Sequence, residues 1–154
     1  MSSEPTNFRT IDELAQLCGR CGWVETRLFE LTGQWASGDG PAEWRLACSI
    51  ESAQHAALAS EWRARLPVRA GIDQEALFLP PPGPLAAEIE ALFGQPVVEG
   101  MSTLKQRLLQ DLVEWYRDEL AVSSSVREAS VMALLDRAIA AHSDVTGREL
   151  TPPQ

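Results

Sequence analysis

Residues 41–66, PAEWRLACSIESAQHAALASEWRARL, decide the fold. After Pro41 the stretch contains neither Gly nor Pro, and it is rich in Ala, Leu, Arg and Glu, residues that lose little on entering a helix. Trp44, Cys48, Glu51, His55, Leu58 and Trp62 recur at alternating steps of four and three, so a single helix carries all six on one face. That face is apolar at both ends and holds a carboxylate and an imidazole one turn apart in its middle. A buried carboxylate is costly unless it is paired or bound to metal. The face is therefore either a core with a polar centre or part of a metal or catalytic site.

Upstream, Thr10 and Glu13 have the spacing of a capping box and open a first helix. Leu14, Cys18, Cys21, Glu25, Leu28, Thr32 and Trp35 then repeat the four-three rhythm. Gly19 and Gly22 stand beside this seam, and each costs about 1 kcal/mol against Ala inside a helix. They predict a close approach of other chain or a local irregularity. Ser37-Gly38-Asp39-Gly40-Pro41 is a stop and a restart, short enough to make helices one and two antiparallel neighbours.

Downstream, residues 67–100 are different in kind. They include Leu79-Pro80-Pro81-Pro82-Gly83-Pro84, a short amphipathic piece from Leu85 to Phe93, and Gly94-Gln95-Pro96. This reads as a long connection with one short helix inside it, and connections of this length serve topology or function. A third helix is expected from about Ser102 to Ala121, with Leu104, Leu108, Leu109, Leu112, Trp115, Tyr116 and Leu120 on its apolar arc. Ser125 and Glu128 predict a capping box for a fourth, running to about Val145 with Val131, Leu135, Ala138, Ile139 and His142 facing inward. Residues 147–154 are expected to fray. The whole is one all-α domain of two antiparallel helical hairpins joined by a long crossover.

Composition limits the function. The chain has 154 residues, a net charge of −9 and no basic cluster, which argues against binding to a nucleic-acid backbone. The N-terminal MSSEPTNF lacks the basic and apolar regions of a signal peptide, and no apolar run approaches the ~20 residues that span a bilayer. A cytoplasmic protein with reduced cysteines is expected. The excess of Arg over Lys and the abundance of Ala suggest a bacterial, GC-rich source.

The inward polar residues carry the functional expectation. Pairing the first two helices about Gly38 sets Glu25 level with Glu51, and Cys21 level with His55. Carboxylate plus imidazole suits iron, manganese or zinc. Single histidines on such seams are also commonly hydrogen-bonded core residues, and Glu25 and Glu51 have Arg20, Arg27 and Arg45 as alternative partners. Cys18-Gly19-Arg20-Cys21 is a C-x-x-C motif, which suits thiol redox chemistry, half a zinc site, or two small core residues.

Together these features resemble the ferritin-like superfamily over roughly Thr10 to Val145, in architecture more than in motif. Di-iron members of that superfamily carry a lone Glu on helices one and three and Glu-x-x-His on helices two and four. Glu25 fits the helix-one place and His55 the helix-two imidazole. Ser52 stands three residues before His55, with Glu51 one position earlier as a substitute. Leu112 and Tyr116 occupy mid-arc on helix three. On helix four, His142 has Ile139 where the carboxylate would be. Counting along the axes puts His142 ~15 Å from the level of His55. The resemblance implies a ferritin-like four-helix bundle with an altered metal site or none. Glu25, Glu51, His55 and His142 are the metal candidates, for iron or another divalent ion.

Three functions are expected. The first is a binding or accessory protein with a degenerate metal site, acting as a dimer or other homo-oligomer, or as a subunit of a heteromer. The second is a metal-dependent oxidoreductase acting on a small molecule held between the helices, with Glu25, Glu51 and His55 as ligands. The third is a thiol redox protein using Cys18 and Cys21.

Overall fold

The computed structural model describes residues 9–68, 70–124 and 126–146, and all regular structure among them is helical. Helix α1 (Ile11–Ser37) opens on the expected capping box. Thr10 Oγ1 accepts from the Glu13 amide at 3.1 Å, and a Glu13 carboxylate oxygen accepts from the Thr10 amide at 2.7 Å. Asp12 and Glu13 in its first turn also suit the positive end of the helix dipole. The α1 seam is buried from Cys18 to Trp35, with Leu14 packed at its edge. Helix α2 (Ala42–Ala64) buries all six residues of its predicted face.

The crossover contains a 3-10 turn (Gln74–Leu77) and helix α3 (Leu85–Leu92). It lies against the two glycines of α1. A Cβ on Gly19 would sit 2.0 Å from the Leu77 carbonyl oxygen, and one on Gly22 would sit 2.6 Å from the Phe78 ring. The close approach that the glycines predict is thus made by the crossover itself. Further along α1, Arg27 bonds Glu90 at 2.7 and 2.8 Å and stacks on Phe93, which fixes α3 in place.

The third long helix starts earlier than expected. Helix α4 (Val97–Thr103), a π-helical segment (Leu104–Leu108) and helix α5 (Leu109–Ala121) follow one another without a break. The connection therefore ends at Pro96, not at Gly100. Pro96 stands just before the first turn, where a missing N–H costs nothing. Gly100 is kept inside the helix because the Trp35 ring fills the space of its Cβ, 2.3 Å away. Helix α6 (Ala129–Thr146) starts about three residues later than the expected capping box would place it. Of that box, Ser125 lies outside the described residues, and the Glu128 carboxylate accepts from the Ser124 amide. Residues 147–154 also lie outside them.

Side-chain contacts fix the direction of each helix. The Arg9 guanidinium, just before α1, bonds Ser123 Oγ, the Glu119 carbonyl and the carboxylates of Glu119 and Glu128. At the same end, Arg65 after α2 donates to the Ser130 carbonyl, and Glu61 pairs with Arg137. So α1 begins where α2 and α5 end and where α6 begins. At the opposite end, Trp35 Nε1 donates to the Gln95 carbonyl at 3.0 Å, and Gly40 abuts Val97. Helices α2 and α4–α5 accordingly run in the same direction, and the crossover returns the chain between their ends. Among the described residues no helix is long and apolar enough to cross a membrane.

Candidate metal centre

Glu25 is fully buried in the middle of α1, and three neighbouring helices each send it one polar side chain. His55 of α2 donates from Nδ1 to Oε2 at 2.7 Å. His142 of α6 donates from Nε2 to Oε1 at 2.6 Å, and the Tyr116 hydroxyl of α5 donates to the same oxygen at 2.9 Å. The His55 and His142 rings lie 5.2 Å apart and near parallel, at 29°. Each of these side chains is 3% exposed or less, so water does not compete for the carboxylate.

The electrostatics follow from this enclosure. Burial by itself would push the Glu25 carboxyl up. The charge of His142 and the hydrogen bonds from His142 and His55 outweigh it and hold the carboxyl well below the ordinary 4.5. Burial, and then the Glu25 charge, push the Tyr116 phenol well up, which keeps it a donor.

One ligand atom each from Glu25, His55 and His142 lie within 4.8 Å of one another, a group that could hold a metal ion. Neighbouring donors on one small divalent metal stand about 3 Å apart. The three ligand atoms, within 4.8 Å of one another, would draw in around an ion once the two N–H protons leave. A pair of metals does not fit. The di-iron set needs four carboxylates, whereas this group contains one, and Tyr116 stands where α5 would bring another.

The expected register is corrected here. Glu25 meets His55, one turn beyond the expected Glu51. Helix α1 runs through to Ser37, so the four linking residues all fall after it and the midpoint of the hairpin lies near Gly40, not Gly38. His142 also stands at the level of His55, not ~15 Å away. The later start of α6 accounts for roughly 4.5 Å of the difference along its axis.

Glu51 stands outside the group. Its Oε1 lies 3.6 Å from Lys105 Nζ in the π-helical segment, and its buried Oε2 has no hydrogen-bond partner. Burial pushes its carboxyl up, against the pull of Lys105 and His55. Two of the three arginines proposed as alternatives go elsewhere: Arg27 to Glu30 and Glu90, and Arg45 to the Ala36 carbonyl.

Cys18 and Cys21 are buried free thiols and are not members of the ligand group. Burial raises Cys18 to about 11 and pushes Cys21 well up, with the Cys18 and Glu25 charges adding to the effect on Cys21. Redox-active thiols are shifted in the opposite direction. Burial raises Cys48 to about 12 as well.

Sequence reasoning placed Tyr116 on the apolar arc and missed its role. The available signal was chemical: a phenol on an inner arc needs a partner for its hydroxyl. Lys105 was missed because a regular helix gives no reason to turn it inward. Compared with protein families, with curated proteins and with solved structures, the chain matches none of them.

Proposed function

We propose that this chain is a ferritin-like helical-bundle protein whose metal site is reduced to one divalent ion, held by Glu25, His55 and His142, and that it acts as a binding or accessory protein. The observation that carries this reading is the meeting of two imidazoles and one carboxylate from three helices, at essentially zero exposure. The parallel course of α2 and α4–α5, joined by a long crossover, supports the ferritin-like assignment.

A bound divalent ion supplies Lewis-acid or one-electron chemistry at such a centre. The chain's own residues position and enclose it. Tyr116 orients the Glu25 carboxylate through Oε1, as second-layer donors do in metal sites. The near-complete burial of Glu25, His55, His142 and Tyr116 keeps bulk water away. This enclosure favours a binding role over turnover of a bulky substrate.

An oxidoreductase acting on a very small molecule is the second reading, and the donor set favours it. Two histidines and one carboxylate are the ligand set of non-haem iron(II) oxygenases. Elemental analysis of anaerobically purified protein, with and without added ferrous iron, tests the proposal. One metal per chain, absent in Glu25→Ala and His55→Ala, is the expected result. No metal under loading conditions would leave the cluster as a hydrogen-bonded core. Oxygen consumption by the loaded protein separates the second reading from the first.

A further inference from the structure

Among the described residues, two buried side-chain polar atoms lack a hydrogen-bond partner, Trp62 Nε1 and Glu51 Oε2. The second belongs to a carboxylate only 5% exposed. A buried acceptor without a partner costs about 1–3 kcal/mol, and more if it is charged. Its other oxygen is held loosely, since 3.6 Å to Lys105 Nζ is beyond a good hydrogen bond. The position of Glu51 suggests what this oxygen is for. Glu51 precedes His55 by four residues on the inner face of α2, so the two side chains are neighbours along that face. Helical residues four apart can share one metal, as the two histidines of H-E-x-x-H do. Glu51 also lies close enough to feel both His55 and His142 electrostatically.

We infer that Glu51 is the fourth protein ligand of the Glu25, His55 and His142 centre, turning its unpartnered Oε2 from beside Lys105 to the metal. This deepens the proposed function and rests on it. Three donors leave a small divalent ion short of four-coordination, and a second carboxylate completes it. Two carboxylates also neutralise a dication in a region from which water is excluded. A glutamate has three rotatable side-chain bonds through which the carboxylate can turn. Lys105 retains 14% exposure of its side chain, and its ammonium can move toward solvent as Glu51 leaves. The π-helical segment that carries Lys105 is an irregularity of the kind often found at functional sites.

The test is an equilibrium titration with cobalt(II), read by affinity and by visible absorption, which is intense for four-coordinate cobalt and weak for higher coordination. Wild type is expected to bind one cobalt with an intense band. Glu51→Ala and the near-isosteric Glu51→Gln are expected to weaken binding about ten- to a hundredfold and to lose that intensity, while circular dichroism shows the helices intact. Lys105→Ala is expected to keep both signals. Wild-type affinity and spectrum in both Glu51 variants would overturn the inference and leave the three-residue centre standing. Weakened binding with an unchanged spectrum would also overturn it, because Glu51 would then act from outside the coordination sphere. No cobalt binding by wild type would overturn the centre and this inference together.

Discussion

Two buried carboxylates separate the layers of this core. Glu25 accepts three hydrogen bonds from three helices, and its carboxyl is held well below the ordinary range. Glu51, whose α2 position is one turn from that of His55, has a distant ammonium on one oxygen and nothing on the other, and its carboxyl is pushed up. Both are nearly inaccessible to solvent, so burial is not what distinguishes them. The difference is donor supply. In the first layer the interior contributes two imidazoles and a phenol. In the second it contributes one lysine at the edge. The first carboxylate therefore ties helices together, and the second is left in tension.

Removing the satisfied partner should have the largest effect. Glu25→Ala strips two imidazoles and a hydroxyl of their common acceptor. Breaking a buried polar pair from one side costs about 3–5 kcal/mol. Denaturant unfolding of the metal-free protein should show a loss of this size. A loss below about 1 kcal/mol would mean that the layer does not hold α1, α2, α5 and α6 together.

Tyr116→Phe is the next step down. It removes one donor to a charged acceptor, an interaction worth about 1.5–3 kcal/mol. The ring and its packing against Trp62 and Trp115 remain. Both imidazoles still reach Glu25, so stability should fall by that amount while metal content is retained. Loss of metal with little loss of stability would instead place the phenol among the ligands.

The two layers were not equally legible in the sequence. The four-three rhythm named six of the seven buried residues of α2, missing Ser52, and most of the α1 seam, because helical periodicity is a local property. It also brought Glu25 and His55 to one hairpin. It missed the partner level by a turn, since the exact ends of α1 and α2 decide the register and loop sequence does not reveal them. His142 was misplaced for the same reason, through the start of α6. The π-helical segment left no mark in the sequence pattern, so Lys105 and its pairing with Glu51 were beyond reach. Tyr116 was read as apolar because a phenol and a phenyl ring serve a helix face alike until the opposite wall is known.

The second layer should respond with the opposite sign. Replacing both members of a buried ion pair with well-packed apolar residues of similar volume is often neutral or stabilising. Glu51→Met with Lys105→Met should raise the unfolding free energy of the metal-free protein by about 1–2 kcal/mol. A loss of similar size would show that the pair is better satisfied than its 3.6 Å separation implies.

The smallest effect separates the layers by pH. Glu25 has a folded value below its ordinary 4.5. Its contribution is therefore present above about pH 4.5 and is lost as pH falls toward the folded value. Glu51 has a folded value above 4.5. Its contribution is complete below pH 4.5 and is lost as pH rises through the folded value, because the unfolded chain ionises first. The unfolding free energy of the metal-free protein, followed from acid to neutral pH, should thus contain two opposing slopes. Glu25→Gln should flatten the acid-side slope and leave the other. Glu51→Gln should remove the decline above pH 4.5 and leave the acid side unchanged. If both variants flattened the same limb, the two carboxylates would titrate as one coupled site and the separation into layers would fail.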